Sequence, residues 1–462
     1  MSINGNVKNF IEALNDFLNT FVYDRGFTAV LTHYDADGIT AGGLFSRLLA
    51  NYGIEFIVRA TTDLSNDVTR KFFSIKANAH VLLDMGSGDL ERIHSYSDGR
   101  DVFIIDHHKV VGNSAGLHIL NPELYGFDGG QTGCAGVLSG LLGYYATEDP
   151  YFLAIGLVGA SGDMQLIQPV DITKHLLDLA VEKNVVDIKK GFIFFMNNSL
   201  PLHKAITWSF NPYIPGFSGR DDVGLMLIKK AGIDYPSRPP FKKASDLSSV
   251  ERNKLLEEII KYLANLGVRE IKPSDITKNY VILKLENHPL LKNVDEFANL
   301  VNTAGRMGKE HMGILLTFGF RGKLVESLKD LYLERRKMIA KYLAIADRKL
   351  KIYKDMIVVV DMRDTDFNYR FSGTISTILS RSIKHSDKVV ILISESPYGI
   401  KISARAPKSI VDKGLNLADI MRSLSKKFSG VGGGHNVAAG ATLQRGGTSL
   451  IDEVVNIIAS EI

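Results

Sequence analysis

Three consecutive polar residues, Asp106, His107 and His108, follow the apolar run VFII and could bind a metal ion. Carboxylate and imidazole groups are costly to bury unless something binds them. Mixed ligands of this kind suit Mn²⁺, Zn²⁺ or Fe²⁺, and Mg²⁺ where carboxylates dominate. One such tripeptide recurs by chance, so its meaning depends on what else the chain brings to it.

Three further groups of metal-capable residues lie in the same part of the chain. They are His33, Asp35 and Asp37 in THYDADG, Asp84 after AHVLL, and Asp163 in GASGDM. Side chains two positions apart along an extended segment point to the same side, so we expect His33, Asp35 and Asp37 to converge. Taken singly, Asp35, Asp37 or Asp84 is more typical of a turn or a helix N-cap, and His33 of a structural hydrogen bond.

The conjunction of the four groups predicts a catalytic metal centre. Carboxylates that are brought together repel one another unless a cation neutralises them. There are enough ligands for two ions that share a bridging carboxylate. Two ions about 3.5–4 Å apart activate a water molecule and stabilise the leaving oxygen in phosphodiester hydrolysis.

Alternating strands and helices are predicted to position these groups. Between about residues 27 and 195, short apolar runs alternate with helical stretches, which indicates a parallel sheet covered by helices. Ligands of such sheets bind beyond the carboxyl ends of the strands. Three of the four groups directly follow an apolar run, as that geometry requires.

We predict an α/β fold in four parts. They are an N-terminal parallel-sheet domain (1–195), an inserted α-rich domain (196–325), a long connecting helix (326–353) and a smaller C-terminal α/β domain (354–462).

The C-terminal part contains a candidate phosphate-binding segment. Gly432, Gly433, Gly434 and His435 are predicted to form a glycine-rich loop that leads into a helix. Backbone N–H groups in such a loop can approach a phosphate closely, and a helix N-terminus favours an anion. The alternative is a flexible loop without a ligand.

Composition indicates a globular protein of the cytoplasm. Of its 462 residues, 45% are hydrophobic and 23% charged, and the net charge of +4 fits a polyanionic substrate without requiring one. The single cysteine, Cys134, excludes an intramolecular disulfide and fits a reducing compartment. The N-terminus is typical of an amphipathic helix and not of a signal peptide. No apolar run is long enough to span a membrane, so we expect no membrane partner.

The motifs HYDADG, LLDMGSGD, IIDHH and GASGDM resemble those of the DHH phosphoesterase superfamily, and GGGHNVAAG resembles the motif of its DHH-associated C-terminal domain. The resemblance implies that Asp84 bridges two ions, that Asp106 supports the site and that His108 faces the scissile phosphate. Arg405 stands where the family grips nucleic acid, and we add Arg306 of the insert as a substrate contact. The predicted sets are metal ligands His33, Asp35, Asp37, Asp84, His107 and Asp163; catalytic residues Asp106 and His108; and substrate-binding residues Arg306, Arg405, Gly432, Gly433, Gly434 and His435.

Within the superfamily, the insert is similar to that of archaeal RecJ-like single-strand-specific exonucleases, including the type that associates with the GINS replication complex. This resemblance implies a nuclease on single-stranded DNA or RNA with two divalent ions, Mn²⁺ first and Mg²⁺ as the alternative. It also implies a role in DNA replication or repair, with GINS or the replicative helicase as partner. The alternatives are an oligoribonuclease or cyclic-dinucleotide phosphodiesterase, and a replisome scaffold without activity.

Overall fold

The computed structural model describes residues 5–22, 26–192, 200–208, 217–266, 277–382, 384–434, 436–444 and 450–461. The strands are β1 (Thr28–His33), β2 (Phe56–Thr61), β3 (Ala79–Leu83), β4 (Asp101–Ile105), β5 (His118–Leu120), β6 (Val186–Phe192), β7 (Thr277–Leu283), β8 (Leu350–Tyr353), β9 (Ile357–Asp361), β10 (Val389–Ser396), β11 (Gly399–Arg405), β12 (Gly430–Gly434) and β13 (Ala438–Leu443).

The helices are α1 (Gly5–Val22), α2 (Ala36–Asn51), α3 (Asn66–Phe73), α4 (Leu90–Ser97), α5 (Ala135–Thr147), α6 (Pro150–Gly162), α7 (Asp171–Glu182), α8 (Leu202–Thr207), α9 (Asp221–Lys230), α10 (Ser249–Asn265), α11 (Pro289–Lys292), α12 (Val294–Arg306), α13 (Glu310–Phe318), α14 (Lys323–Lys349), α15 (Ser372–Ser380), α16 (Lys408–Val411), α17 (Leu417–Lys427) and α18 (Leu450–Ser460). Among the helices within the described ranges, none is both long and apolar enough to cross a membrane.

The chain divides into two compact units, residues 1–191 with 278–333, and residues 192–277 with 334–462. The first unit contains a parallel sheet in the order β2-β1-β3-β4-β5. All five residues of β3 are buried, as expected for a parallel strand that helices cover on both faces. The predicted α/β class with an N-terminal parallel sheet is thereby confirmed.

The strand order of this sheet creates a position where a ligand can bind, at the carboxyl ends of its central strands. The chain passes from β1 to β2 on one side and then returns to β3 on the other, so β1 and β3 flank a topological switch point. In open α/β sheets, ligands bind outside the carboxyl ends of strands at such a point. The residues that follow β1, β3 and β4 are the predicted ligands.

The predicted insert, residues 196–325, is shared between the two units. Helices α12 and α13 belong to the first unit, where they pack on α2, and the Thr317 hydroxyl donates a hydrogen bond to the Ile39 carbonyl. The apolar residues Phe297, Leu300 and Leu316 of these helices are fully buried. Helices α8 to α10 belong to the second unit and share a hydrophobic core. The sequence alone gave no sign of this division, because periodicity marks an apolar face without saying which element covers it.

The C-terminal part of the second unit is a six-stranded mixed sheet in the order β12-β13-β11-β10-β9-β8. Only β9 and β10 pair in parallel among its described pairs; the others are antiparallel. Helices α17 and α18 pack on one face and bury its aliphatic side chains. The helix predicted over 326–353 starts at Lys323 and ends at Lys349, because the next four residues pair with β9 as strand β8.

Candidate metal centre

Asp84 lies between two groups of ligand-type side chains. It directly follows β3, and 3% of its surface is exposed. Its Oδ2 is 3.2 Å from Nδ1 of His33, and its Oδ1 is 3.2 Å from Nε2 of His107. Each group has ligand atoms within 4.8 Å of one another: His33, Asp35 and Asp84 in one, and Asp84, Asp106, His107 and His108 in the other. Asp84 therefore presents one oxygen to each group.

The Asp84 carboxylate fits a bridging metal ligand. Its Oδ1 is buried and lacks a well-aligned hydrogen-bond donor, although Nε2 of His107 lies 3.2 Å away. An unsatisfied buried acceptor is costly, and a divalent cation would supply the missing partner. Asp84 also has a positive φ of 59°, a conformation that is uncommon for a side chain other than glycine. Such strain concentrates at functional sites.

The HYDADG segment differs locally from its prediction. Strand β1 ends at His33, and Asp35 caps α2 by accepting a hydrogen bond from the Gly38 N–H at 3.1 Å. Asp37 therefore lies in the first turn of a helix, and the predicted alternation along an extended segment is wrong. His33 and Asp35 still meet, with 3.1 Å between Nδ1 and Oδ2. The helix begins at Ala36 because the Asp35 side chain caps it.

Asp37 faces the N-terminus of α5. The N–H groups of Ala135 and Gly136 donate to its two carboxylate oxygens, each at 2.8 Å. A Cβ atom at Gly136 would lie 2.9 Å from Asp37 Oδ1, so this close approach depends on glycine. Burial raises the pKa of Asp37, and the negative charge of Asp84 adds to the increase. Asp37 also lies 3.9 Å from Nε2 of His107, beside the two ligand groups.

Asp106 holds the DHH segment, residues 106–108, in place through hydrogen bonds to its backbone and to His108. It is fully buried and accepts hydrogen bonds from the N–H groups of Ser87, His107 and His108 at 2.8 to 3.2 Å, and from Nδ1 of His108 at 2.7 Å. Burial alone would raise the pKa of Asp106, but the hydrogen bond and charge of His108 outweigh it and lower the pKa. Asp106 is therefore an ionised carboxylate that orients its neighbours.

His107 and His108 differ in exposure and in the groups that they contact. Nδ1 of His107 lies 2.8 Å from the Gly129 carbonyl, which only accepts, so Nδ1 carries a proton and Nε2 points to Asp84. A second hydrogen bond of this kind is typical of a metal-bound histidine. The His108 side chain is 50% exposed, and its hydrogen bond to Asp106 raises its pKa. His108 thus offers a proton donor at the surface of the site.

Asp163 follows the last residue of α6 and belongs to neither of the two ligand groups. Its Oδ2 is 3.9 Å from Nδ1 of His107. Burial raises the pKa of Asp163 to about 6, in spite of the opposing positive charge of His107. Gln165, which no sequence motif marks as part of the site, donates a hydrogen bond to the same oxygen at 2.9 Å. The only sequence signal for Gln165 was a polar residue two positions after a candidate ligand.

Arg306 lies beside the metal-ligand groups. It ends α12, and its guanidinium stands 4.9 Å from the centre of the Tyr34 ring and donates a hydrogen bond to the Tyr34 hydroxyl. Its positive charge contributes to a lowered pKa at Asp35, where the hydrogen bond and charge of His33 outweigh burial. An arginine held in this way could contact a phosphate near the site.

The predicted phosphate-binding residues of the second unit lie on its sheet. Gly432 to Gly434 form edge strand β12, which pairs with β13, so the predicted loop and helix are wrong. A run of glycines does not distinguish a loop from a strand, and pairing with β13 decides it. Arg405 ends β11, where its guanidinium donates to the Thr377 hydroxyl at 2.9 Å. His435 lies outside the described residues.

Three family models match the chain: the DHH family N-terminal domain over residues 28–152, the DHH-CID domain over 194–276 and the DHHA1 domain over 345–462. The chain therefore belongs to the DHH family of phosphoesterases, hydrolases that act on phosphodiester bonds.

More particular likenesses come from individual proteins. An uncharacterized protein of Methanocaldococcus jannaschii is 28% identical over 91% of this chain and 90% of its own length. The crystal structure of CDC45 from Entamoeba histolytica has a TM-score of 0.69 at 10% identity, covering 98% of this chain and 99% of its own. A crystal structure of exonuclease RecJ bound to manganese has a TM-score of 0.56 at 15% identity, covering 100% of this chain and 95% of its own. The fold is RecJ-like.

We expect the metal-free protein to lose stability as pH rises above about 7. Burial lowers the pKa of His33, but hydrogen bonds to Asp35 and Asp84 outweigh it and raise the pKa from 6.5 to about 11. A group whose pKa is raised on folding stabilises the fold fully below its unfolded pKa, and this contribution is lost as pH rises through the folded pKa. Chemical unfolding of chelator-treated protein between about pH 7 and pH 9 measures the effect. His33→Asn should flatten the dependence, and an unchanged slope in that variant would contradict the assignment.

Proposed function

We propose that the protein is a metal-dependent exonuclease that hydrolyses single-stranded DNA or RNA to nucleoside monophosphates. The position of Asp84, with one carboxylate oxygen toward each ligand group, is the observation that supports it most. Belonging to the DHH family supports the phosphoester chemistry. The RecJ-like fold supports the choice of a single-stranded polymer as substrate.

Six side chains would hold two divalent ions, with Mn²⁺ as the first candidate and Mg²⁺ as the second. Ions bound there supply an activated water molecule and stabilise the leaving oxygen. The proposed ligands are His33, Asp35, Asp37, Asp84, His107 and Asp163.

Other residues of the chain would bind and orient the phosphate. His108 is half exposed, its pKa is raised by the hydrogen bond to Asp106, and its ring can donate a hydrogen bond to a phosphate oxygen. Arg306 can add a second donor from α12. Buried Asp106 contributes by fixing both histidines and not by touching substrate.

Two other functions have specific support. Activity on very short oligoribonucleotides or cyclic dinucleotides fits the same family and the same ligands. A replisome scaffold fits the likeness in fold to CDC45. The scaffold is disfavoured because a decayed site would be expected to lose its carboxylates first, and all six proposed ligands are present. A link to GINS or the replicative helicase, and a cytoplasmic location, remain predictions.

A chain-length series tests these functions against one another. End-labelled DNA and RNA oligomers from dimers upward, single-stranded or in blunt duplexes, are incubated with Mn²⁺ or Mg²⁺. Complete digestion of long single strands with duplexes intact supports the exonuclease. Cleavage confined to the shortest oligomers supports the second enzyme, and no hydrolysis supports the scaffold. Oligomers blocked at either end give the polarity.

We also predict that Arg405→Ala weakens binding of single strands and leaves the metal content unchanged. An arginine that contacts a phosphate releases counterions on binding, so its loss should reduce the salt dependence by roughly one unit. Binding is measured by fluorescence anisotropy at several salt concentrations. Arg348→Ala serves as the matched control, since Arg348 is exposed at the end of α14 in the same unit. Equal affinities for the wild type and Arg405→Ala would remove Arg405 from the substrate path.

A further inference from the structure

We propose that Gln165 is a positioning residue of the metal centre, which fixes Asp163 directly and His107 through a shared carbonyl. The proposal rests on the metal-dependent function above and adds a residue that is not itself a ligand. Gln165 directly follows the GASGDM motif and is 4% exposed.

Every hydrogen-bonding position of the Gln165 amide is used. Its Nε2 donates to the Gly129 carbonyl at 3.1 Å and to Oδ2 of Asp163 at 2.9 Å. Its Oε1 accepts from the Cys134 N–H at 3.1 Å and from the Thr173 hydroxyl at 2.8 Å. A carboxamide has two N–H donors and two acceptor positions, so none is left over. The partners also fix its orientation, because the Cys134 N–H only donates and the Gly129 carbonyl only accepts.

The Gly129 carbonyl joins Gln165 to His107. It also accepts the proton of His107 Nδ1, at 2.8 Å. A Cβ atom at Gly129 would lie 1.8 Å from the His107 carbonyl oxygen, so only glycine allows this approach. The same carbonyl that sets the tautomer of His107 is therefore held in place by Gln165.

The two donors to Gln165 Oε1 both lie at the start of a helix. Cys134 is the N-cap of α5, and Thr173 lies in the first turn of α7. Sites supported by helices are held more precisely than sites on loops alone. No other side chain of this size supplies two donors toward Asp163 and Gly129 together with two acceptor positions. A glutamate would instead place negative charge against Asp163.

The test uses Gln165→Met in the full chain, a change that keeps the volume and deletes the four hydrogen bonds. Loss of an outer hydrogen bond of a metal ligand typically weakens metal binding about 10–100-fold. We expect Mn²⁺ affinity to fall by that factor, measured by calorimetric titration and by the EPR signal of free Mn²⁺. Thr69→Val is the control, because it deletes a buried hydroxyl of the same unit that donates to the Leu64 and Ser65 carbonyls and not to Gln165. We expect it to lower the thermal unfolding midpoint with little change in Mn²⁺ affinity.

Each outcome decides the proposal. A selective loss of Mn²⁺ affinity in Gln165→Met supports it. Wild-type affinity in Gln165→Met, or equal losses in both variants, overturns it. If Gln165→Met does not fold, Gln165→Asn keeps an amide too short to span the partners and is expected to show the same selective loss. Failure of both to fold assigns Gln165 a purely structural role and also overturns it. Absence of Mn²⁺ binding in the wild type would instead refute the proposed function.

Discussion

Asp84→Ala is expected to abolish hydrolysis while the protein remains folded. Its carboxylate presents one oxygen to each ligand group, so its removal weakens both proposed ion sites at once. Loss of a group that is hydrogen-bonded to a metal ligand typically lowers metal affinity or activity about 10–100-fold. Loss of a ligand shared by two ions should lower turnover by more than about 100-fold. Turnover on a labelled single strand and Mn²⁺ stoichiometry are measured on the same preparation. Retention of more than a few per cent of wild-type turnover would show that Asp84 does not bridge.

The control for this substitution must share the unusual backbone of Asp84. Asp98 also has a positive φ, 48°, and its side chain is 88% exposed in the same unit. Asp98→Ala therefore carries a similar conformational penalty without reaching the site. We expect it to keep full activity and Mn²⁺ binding. Asp84→Asn, which tolerates the left-handed conformation better, should be as inactive as Asp84→Ala.

His108→Ala is expected to lower turnover about 10²- to 10⁴-fold, the usual contribution of a positioned acid or base. Unlike Asp84, the His108 side chain is half exposed and its Nδ1 is hydrogen-bonded to Asp106, which supports the proposed role of His108 toward the phosphate. Metal analysis of the purified variant should therefore show the wild-type Mn²⁺ content. Loss of one equivalent of Mn²⁺ would make His108 a metal ligand.

Asp106→Asn tests the proposed role of His108 through the carboxylate to which its ring is hydrogen-bonded. The hydrogen bond from His108 to Asp106 raises the pKa of His108, so the amide should leave His108 less protonated at neutral pH. Turnover should fall, and the alkaline limb of its pH profile should shift to lower pH, because activity is lost where His108 gives up its proton. An unshifted profile would separate Asp106 from the protonation of His108.

Most of the candidate site could be predicted from the sequence because the carboxyl ends of neighbouring parallel strands lie side by side. His33, Asp84 and Asp106 each close or follow a buried strand, and strand pairing alone brings them together. Asp37 was predicted for the wrong reason, since a helix and not an extended segment carries it. Its contact with α5 lies about 100 residues away in sequence, beyond what periodicity can indicate.

Residues that act through long-range hydrogen bonds were hidden from the sequence. Gln165 matters because Gly129 and Cys134, more than 30 positions earlier, point backbone groups at its amide. The strand at Gly432 to Gly434 was missed for a related reason. Glycine has little intrinsic preference for any conformation, and the partner strand β13 determines the result.

The most direct test of the two-metal site is anomalous diffraction from crystals soaked in Mn²⁺. The arrangement of His33, Asp84 and His107 predicts two anomalous peaks, one on each side of the Asp84 carboxylate. The first should contact the side chains of His33 and Asp35, and the second that of His107. A single peak away from Asp84, or no peak at saturating Mn²⁺, would contradict a bridged two-metal centre.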